Sequence, residues 1–465
     1  MSRKLLLLGI VIAVIVALDV YLSADDPSQF VIFSTWGTPT EVESFQHLIA
    51  HYNATRHPTH KVRLSHGEEN QYAERLFIQA AARSLPDVIH LDRKELPLFV
   101  HRGLFEDLTP YIDRDTAFHL DAFLPQLLPG CKVGARFYAV PHNFSTLVLY
   151  YNKSHFDAEG MSYPDSTWTW DTLRRAAQRL TRTDASGKIV RYGCLMSLVL
   201  PTLIYQNGGQ ILNNDLDSCA IATPEAEGAY QFVLDLSEKY HVSWSFLAQN
   251  LQWDDMFAGG RLSMIANGRW SAAWYMRSMP AGTVDVAPLP RGKLRVGGAV
   301  NHMMAISAQS TKKEEAWEFL KYLVSEEGER IFNEEGANIP SLRSVVYSDA
   351  FLHHRTTPTM NNRVFLDELP YSVVWPFEQG PYATQLTIYT QMDLAMRRVL
   401  LGQATVKQSL QMAQDDLNTV MRKQRELVIP RPFAGSALFY IGIAVGIASA
   451  ATLWGFVRRR LLHGR

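Results

Sequence analysis

Histidines crowd the stretch from 47 to 66, at positions 47, 51, 57, 60 and 66, and His47 and His51 stand one helical turn apart. Two imidazoles at i, i+4 can share a metal, but a zinc site needs further His, Cys or carboxylate ligands in a set pattern. Neither H-E-x-x-H nor C-x-x-C occurs, so no metal is predicted. NNDLDS (213–218) has the acidic spacing of a calcium loop. Ser218, however, stands where the sharp turn needs glycine, and Pro224 where a bidentate glutamate belongs, so it reads as a turn. There is no G-x-S-x-G, phosphate-binding or dinucleotide-binding glycine motif, and no carboxylate pair can be placed as acid and base. The chain therefore predicts no catalytic residue and no cofactor. The groups left in suggestive places are Trp36 and Asp92, and the reason lies in the elements that carry them.

FVIFSTWG (30–37) is β-rich and stopped by glycine, while PTEVESFQHLIAHYN (39–53) puts Val42, Phe45, Leu48, Ile49 and Tyr52 at helical spacing. HKVRLSH (60–66) predicts a second strand, YAERLFIQAAAR (72–83) a helix, and PDVIHLD (86–92) a third strand. Strands alternating with helices predict an α/β fold with a mostly parallel, doubly wound sheet, whose ligands sit beyond the carboxyl ends of the strands. Trp36 and Asp92 occupy two such ends. A second α/β region opens at FYAVPHNFSTLVLYYNK (137–153), an apolar extended stretch interrupted by Pro141. Farther on, 223–240 reads as a helix with Thr223 as N-cap and Pro224 in its first turn. A second helix is predicted over 311–328, opened by a capping box from Thr311 to Glu314. Residues 384–424 are helical with a break at LLGQAT (400–405).

Both ends of the chain are built for hydrocarbon. Residues 437–457 hold no charge, enough at about 1.5 Å per residue to cross a bilayer core of about 30 Å. Tyr440 and Trp454 suit the interfaces, and Arg458, Arg459 and Arg460 mark a cytoplasmic exit, giving a basic tail over 458–465. Residues 1–27, with Arg3 and Lys4 ahead of an apolar run over 5–18, predict a signal peptide or a retained anchor. Retention is favoured because Leu22 spoils the small-residue pattern before Ala24. With no cysteine beside that run, a lipidated N-terminus is not expected. The basic flanks place residues 28–430 outside the cytoplasm, and 430–436 form a short proline-marked linker.

The exported portion is too long for one compact core and suits two lobes. A formal net charge of −1, with 45 basic and 46 acidic residues interspersed, speaks against a nucleic-acid partner. Cys131, Cys194 and Cys219 allow one disulfide and impose none.

An ordered series of blocks runs through residues 30–425. It includes LPDVIHLD, LFEDLTPYID (104–113), TWTWDTLRRAA (167–177), IYQNGGQILNND (204–215), FAGGRLSMIANGRWSAAW (257–274), GGAVNHMMAISAQSTKKEEAWEFLKYLVSEEGERIFNEEGANIPSLRS (297–344) and LGQATVKQSLQMAQDDLN (401–418). In this series the chain resembles the extracellular solute-binding proteins of sugar-importing ABC transporters, the group that contains maltose-binding protein. The resemblance implies a two-lobed periplasmic-binding-protein-like fold of type II that closes like a hinge on a carbohydrate. Lobe 1 is expected over 28–143 with 297–337, and lobe 2 over 144–296 with 338–429. Crossovers are expected near Pro141 to Thr146, Pro290 to Gly298 and Asn338 to Ser341. It further implies ABC permease subunits and the cytoplasmic (inner) membrane as partners, with the binding domain on the periplasmic or extracellular side. The departure from the family is the anchoring, because its members are usually free or lipid-held.

A sugar presents an apolar C–H face and a rim of hydroxyls, so its site wants flat aromatic surfaces with fixed donors and acceptors. Trp270 falls where the family pattern puts a stacking aromatic, and Tyr389 aligns with another. Trp36, Trp253 and Trp274 complete the aromatic candidates, whereas Trp168, Trp244 and Trp317 read as packing. Asp92 could take two adjacent hydroxyls or cap the segment starting at Lys94. His142 and Asn143 lie on a crossover, and Asn301, with His302, follows the pair Gly297-Gly298; Asn207 reads as a turn residue. Two other functions fit the same features: a ligand sensor signalling to a membrane partner, and a membrane-bound carbohydrate-active hydrolase.

Overall fold

A computed structural model describes residues 29–67, 71–247, 253–336, 338–373, 380, 382–383 and 385–427. The signal or anchor over 1–27, the linker over 430–436, the span over 437–457 and the basic tail lie outside the described residues. Among those described, no helix is long and apolar enough to cross a membrane. Contacts divide the chain into Met1–Met421, whose two lobes are treated below, and a separate unit over Arg422–Arg465.

The first three strands form where the sequence places them: β1 (Phe30–Thr35), β2 (Lys61–His66) and β3 (Val88–Asp92), separated by helices α1 (Pro39–Thr55) and α2 (Tyr72–Ala81). The chain continues through β4 (Val140–Thr146), β5 (Val148–Asn152), α3 (Trp170–Leu180), α4 (Leu200–Gln206) and α5 (Pro224–Leu234). Next come β6 (Met264–Asn267), α6 (Ala272–Ser278), β7 (Val284–Ala287), β8 (Gly297–Ile306), α7 (Lys313–Leu323), α8 (Glu326–Phe332) and β9 (Ile339–Pro340). Helices α9 (Gln385–Leu400) and α10 (Val406–Leu427) follow, the last passing Met421 into the second unit.

Lobe 1 carries a sheet of order β9-β4-β8-β3-β1-β2, with Ser372–Val373 added to the start of β8. β1 pairs in parallel with β2 and β3, and Ser372–Val373 in parallel with β8; β8 runs antiparallel to β3 and β4, and β9 antiparallel to β4. The mostly parallel sheet expected from strand–helix alternation is thus a mixed one. The cause is that β8 enters from the other lobe and runs against the strands it joins. Pro141 is tolerated inside β4 because the β4–β8 ladder shifts register between His302 and Met303, where a missing N–H costs least. The three expected crossover segments overlap β4, the loop into β8, and β9, and these strands lie side by side.

Lobe 2 is built around an antiparallel sheet, β6-β5-β7. The unbroken apolar run of β5 is explained by burial on both faces. Leu149 and Tyr151 point into a core with Leu173, Ile204, Tyr230, Met392 and Leu417, and Val148 and Tyr150 into one with Phe257, Tyr275 and Phe365. A separate core in lobe 1 gathers Phe33, Phe45, Leu91, Phe99, Ile306 and Phe319.

Of the two caps expected on the longer helices, one forms and one does not. Thr223 Oγ1 accepts from Ala226 N, and Pro224 sits in the first turn of α5 as expected. The box expected at Thr311 does not form: Ser310, tied to Asp87 at 2.6 Å, takes the Lys312 amide at 3.1 Å and the helix starts at Lys313. The same predicted helix is also two, because Ser325 caps α8 by accepting from Gly328 N. Asn213 closes the NNDLDS turn by accepting from the amides of Asp217 and Ser218. Asn207 likewise ends α4, donating to the carbonyl of Glu225. The three cysteines are buried free thiols.

Candidate binding cleft

A cleft of about 480 Å³ lies between the lobe 1 core and lobe 2. Lobe 1 supplies Trp36, Glu41, His90, Asp92, Lys94 and His302; from lobe 2 come Leu198, Ala266, Asn267, Trp270 and Tyr389. Its size and mixed lining suit a small organic ligand.

The lobe 1 wall is set by the turn from β1 into α1. Trp36 ends the strand, and Gly37 follows with φ +141°, where an added Cβ would lie 3.0 Å from Glu41 Oε2. Thr38 then caps α1: its hydroxyl accepts from Glu41 N, and its own N–H donates to Glu41 Oε2 at 2.8 Å. Glu41 Oε1 accepts from Asn338 Nδ2 at 2.7 Å, so the cap also holds the third crossover. Glu329 secures the other side of that crossover, accepting from the amides of Ser341 and Leu342 and from the Ser341 hydroxyl. Burial pushes its carboxyl up to about 8 against those donors.

Trp36 is only 6% exposed. His90 lies parallel to its ring at 4.5 Å, while Tyr72 and His302 crowd it at 4.8 and 5.5 Å. Trp36 is therefore a fixed wall with at least one face taken, rather than the free stacking platform expected. Asp92, at the end of β3, does not cap the turn that follows it and instead pairs with Lys94 Nζ at 2.9 Å.

Trp270 sits differently. It follows β6 in the turn Arg269–Ser271 and is 37% exposed. Its six-membered ring rests on Gly268, where a Cβ would lie 2.1 Å from Cζ3, so only glycine leaves room for this seat. Behind it Asn267 Nδ2 lies within hydrogen-bond distance of Asp254, Ser271 and Tyr275, and Tyr150 Oη donates to the Gly268 carbonyl. Tyr389, on α9, packs partly against the lobe 2 core and lines the same cleft.

The structure thus brings Trp36, Asp92, Trp270, Tyr389 and His302 together, but not the other candidates. His142 and Asn143 are fully buried in β4: Asn143 Nδ2 donates to His142 Nδ1 at 2.8 Å, and the imidazole packs on Phe45 and Phe332. Burial, with His302 nearby, lowers His142 to about 3. Asn301 is buried while Val300 and His302 line the cleft, as the two-residue period of β8 requires. Trp253 packs on the far core of lobe 2, and Trp274 is exposed away from the cleft. Trp168 and Trp317 are core residues, and Trp244 packs on Tyr192. Sequence reasoning missed Glu41 and His90. The T-x-x-E box was a legible sign of the first, but nothing local pointed to the second. No group of three or more metal-ligating side chains occurs among the described residues.

An ABC substrate-binding protein from Listeria monocytogenes, solved in complex with cycloalternan, has this fold: TM-score 0.73, 23% identity, 84% of this chain and 98% of that one. Maltose-bound MalE3 of T. maritima gives 0.68 at 21% identity, over 85% and 99%. In sequence, a maltotriose-binding protein of Pyrococcus abyssi is 23% identical over 302 residues, 62% of this chain and 60% of its own length. A mannitol-binding protein of Pseudomonas aeruginosa is 25% identical over 303 residues, covering 61% and 67%. Likeness at these identities establishes the two-lobed fold. Family membership rests on a match spanning residues 36–330, more than half the chain, which includes both cleft tryptophans: this protein belongs to the bacterial extracellular solute-binding proteins.

Proposed function

We propose that the cleft captures an uncharged carbohydrate, a sugar, oligosaccharide or polyol, and that the lobes close over it. The observation that carries this reading is the pairing of an exposed indole, Trp270, with a polar wall of Glu41, Asp92, Lys94 and His302 across one cleft. An indole face suits the C–H face of a pyranose, and the opposite wall suits its hydroxyl rim. The names of relatives that bind maltotriose, mannitol and maltose support the same class.

The chain acts outside the cytoplasm, held to the inner membrane by residues 437–457 and by 1–27 if these are retained. It hands its ligand to an ABC permease. Tethering would raise the effective concentration of the binding lobes at the permease, so that weak docking suffices. A thermal-shift panel of maltotriose, maltose, mannitol and tagatose on the detergent-solubilised chain tests the ligand class. At least one should raise the unfolding temperature by a few degrees, since a ligand that binds only the folded state stabilises it. No shift with any neutral sugar or polyol at millimolar concentration would sink the reading.

A further inference from the structure

Three adjacent strands, β3, β8 and β4, each carry one histidine of a cluster, His90, His302 and His142, of which the first two touch Trp36. His90 has ring centroids 5.1 Å from His302 and 5.8 Å from His142. The two contacts of Thr35 assign the tautomer of His90. Thr35 Oγ1 donates its single proton to the carbonyl of Trp36 at 2.8 Å, and the same oxygen lies 2.9 Å from His90 Nδ1. Having no second proton to give, Thr35 must accept there. His90 therefore carries its hydrogen on Nδ1 and a lone pair on Nε2.

That Nε2 is buried and has no partner among the described residues, although the residue lines the cleft. Buried polar atoms are almost always paired, and the cleft that His90 lines is where a donor for this one can enter. Burial and the two neighbouring imidazoles keep His90 well below its ordinary value, so the lone pair persists at working pH. The nearby Glu41 carboxylate is already taken up by Thr38 and Asn338, and Asp92 is paired with Lys94.

Resting on the carbohydrate reading, we infer that His90 Nε2 is the acceptor for one ligand hydroxyl, met directly or through a single held water, and so determines specificity at the lobe 1 end of the cleft. A ligand with a methylene, an O-methyl group or a carboxylate at that position brings no proton and is disfavoured. His142 Nε2 is likewise unpartnered among the described residues, but with Nδ1 accepting from Asn143 it carries the ring's proton and cannot accept, and His142 does not line the cleft.

Calorimetry on the full chain tests this with whichever of maltotriose, maltose, mannitol and tagatose binds, each against its set of single-deoxy analogues. The parent protein should lose about tenfold or more in affinity for one particular deoxy position. In His90→Phe, which keeps a flat ring beside Trp36, that discrimination should vanish, and in His90→Gln, which keeps an acceptor, it should partly return. Uniform weakening toward all analogues, or a deoxy preference unchanged in His90→Phe, overturns the proposal. Trp270→Ala serves as the control for the underlying reading. If it weakens binding while His90→Phe leaves the deoxy ratio intact, only the His90 assignment falls; if the parent binds no sugar, both fall.

Discussion

The two tryptophans that face each other across the cleft are held by opposite means. Trp36 is packed among His90, Tyr72 and His302 and shows little surface, whereas Trp270 lies on a bare glycine with over a third of its area open. One wall is thus part of a hydrophobic core and the other is an uncovered apolar face. An exposed indole gains from being covered, and a buried one has already gained. Lobe 1 therefore supplies a preformed polar floor and lobe 2 supplies the surface that a ligand covers.

Substitution of each indole should separate these roles most strongly. Trp36→Ala should cost about 3–5 kcal/mol of unfolding free energy, as for large core aromatics, while Trp270→Ala should stay within about 1 kcal/mol of the parent. Urea titration of both variants decides it, and equal losses would erase the contrast.

Acid should act through the floor of lobe 1. His142 is held at about 3 in the folded protein, against about 6.5 in the unfolded chain. The unfolded state then takes up the proton first, so the stability this group contributes is complete above about pH 6.5 and is lost as pH falls toward 3. The effect is on the order of a few kcal/mol. His155 in lobe 2, lowered to about 4 by burial and Arg191, works in the same sense. The informative quantity is the difference between parent and His142→Leu melting curves from pH 7.5 to 4, which should show a flatter profile in the variant.

Binding should respond to the other wall. Trp270→Ala should weaken a bound sugar by about 1–3 kcal/mol, read by calorimetry. Gly268→Ala should give a smaller loss in the same direction with near-parent stability, because its Cβ would force the indole off its seat. Parent-like affinity in Gly268→Ala would show that the seat does not orient the ring.

Local signals carried much of the fold. The first strands, the Thr223 cap and the break between α9 and α10 were legible because near neighbours in sequence supply their partners. The Thr311 box failed for the converse reason: Ser310, anchored by Asp87 from more than two hundred residues away, holds the Lys312 amide, and the helix begins one residue later than the box requires. The parallel-sheet expectation failed because strand direction in β8 depends on which lobe the chain comes from. At the cleft, Trp270, Trp36, Asp92 and Tyr389 were found from strand ends and from family resemblance. Asn301 and His302 could not be told apart because residue type says nothing about which side of a strand faces the ligand.

From sequence alone came the alternation of strands and helices, the charge-free terminal segments and the absence of catalytic and metal motifs, all properties of composition and short-range spacing. Tertiary structure decided which indole is covered and which is bare, which strand face meets the cleft, and that His90 Nε2 has no partner among the described residues. Those outcomes depend on contacts among β1, β3, β4 and β8, whose residues lie as far apart as Thr35 and His302, and no local pattern encodes them.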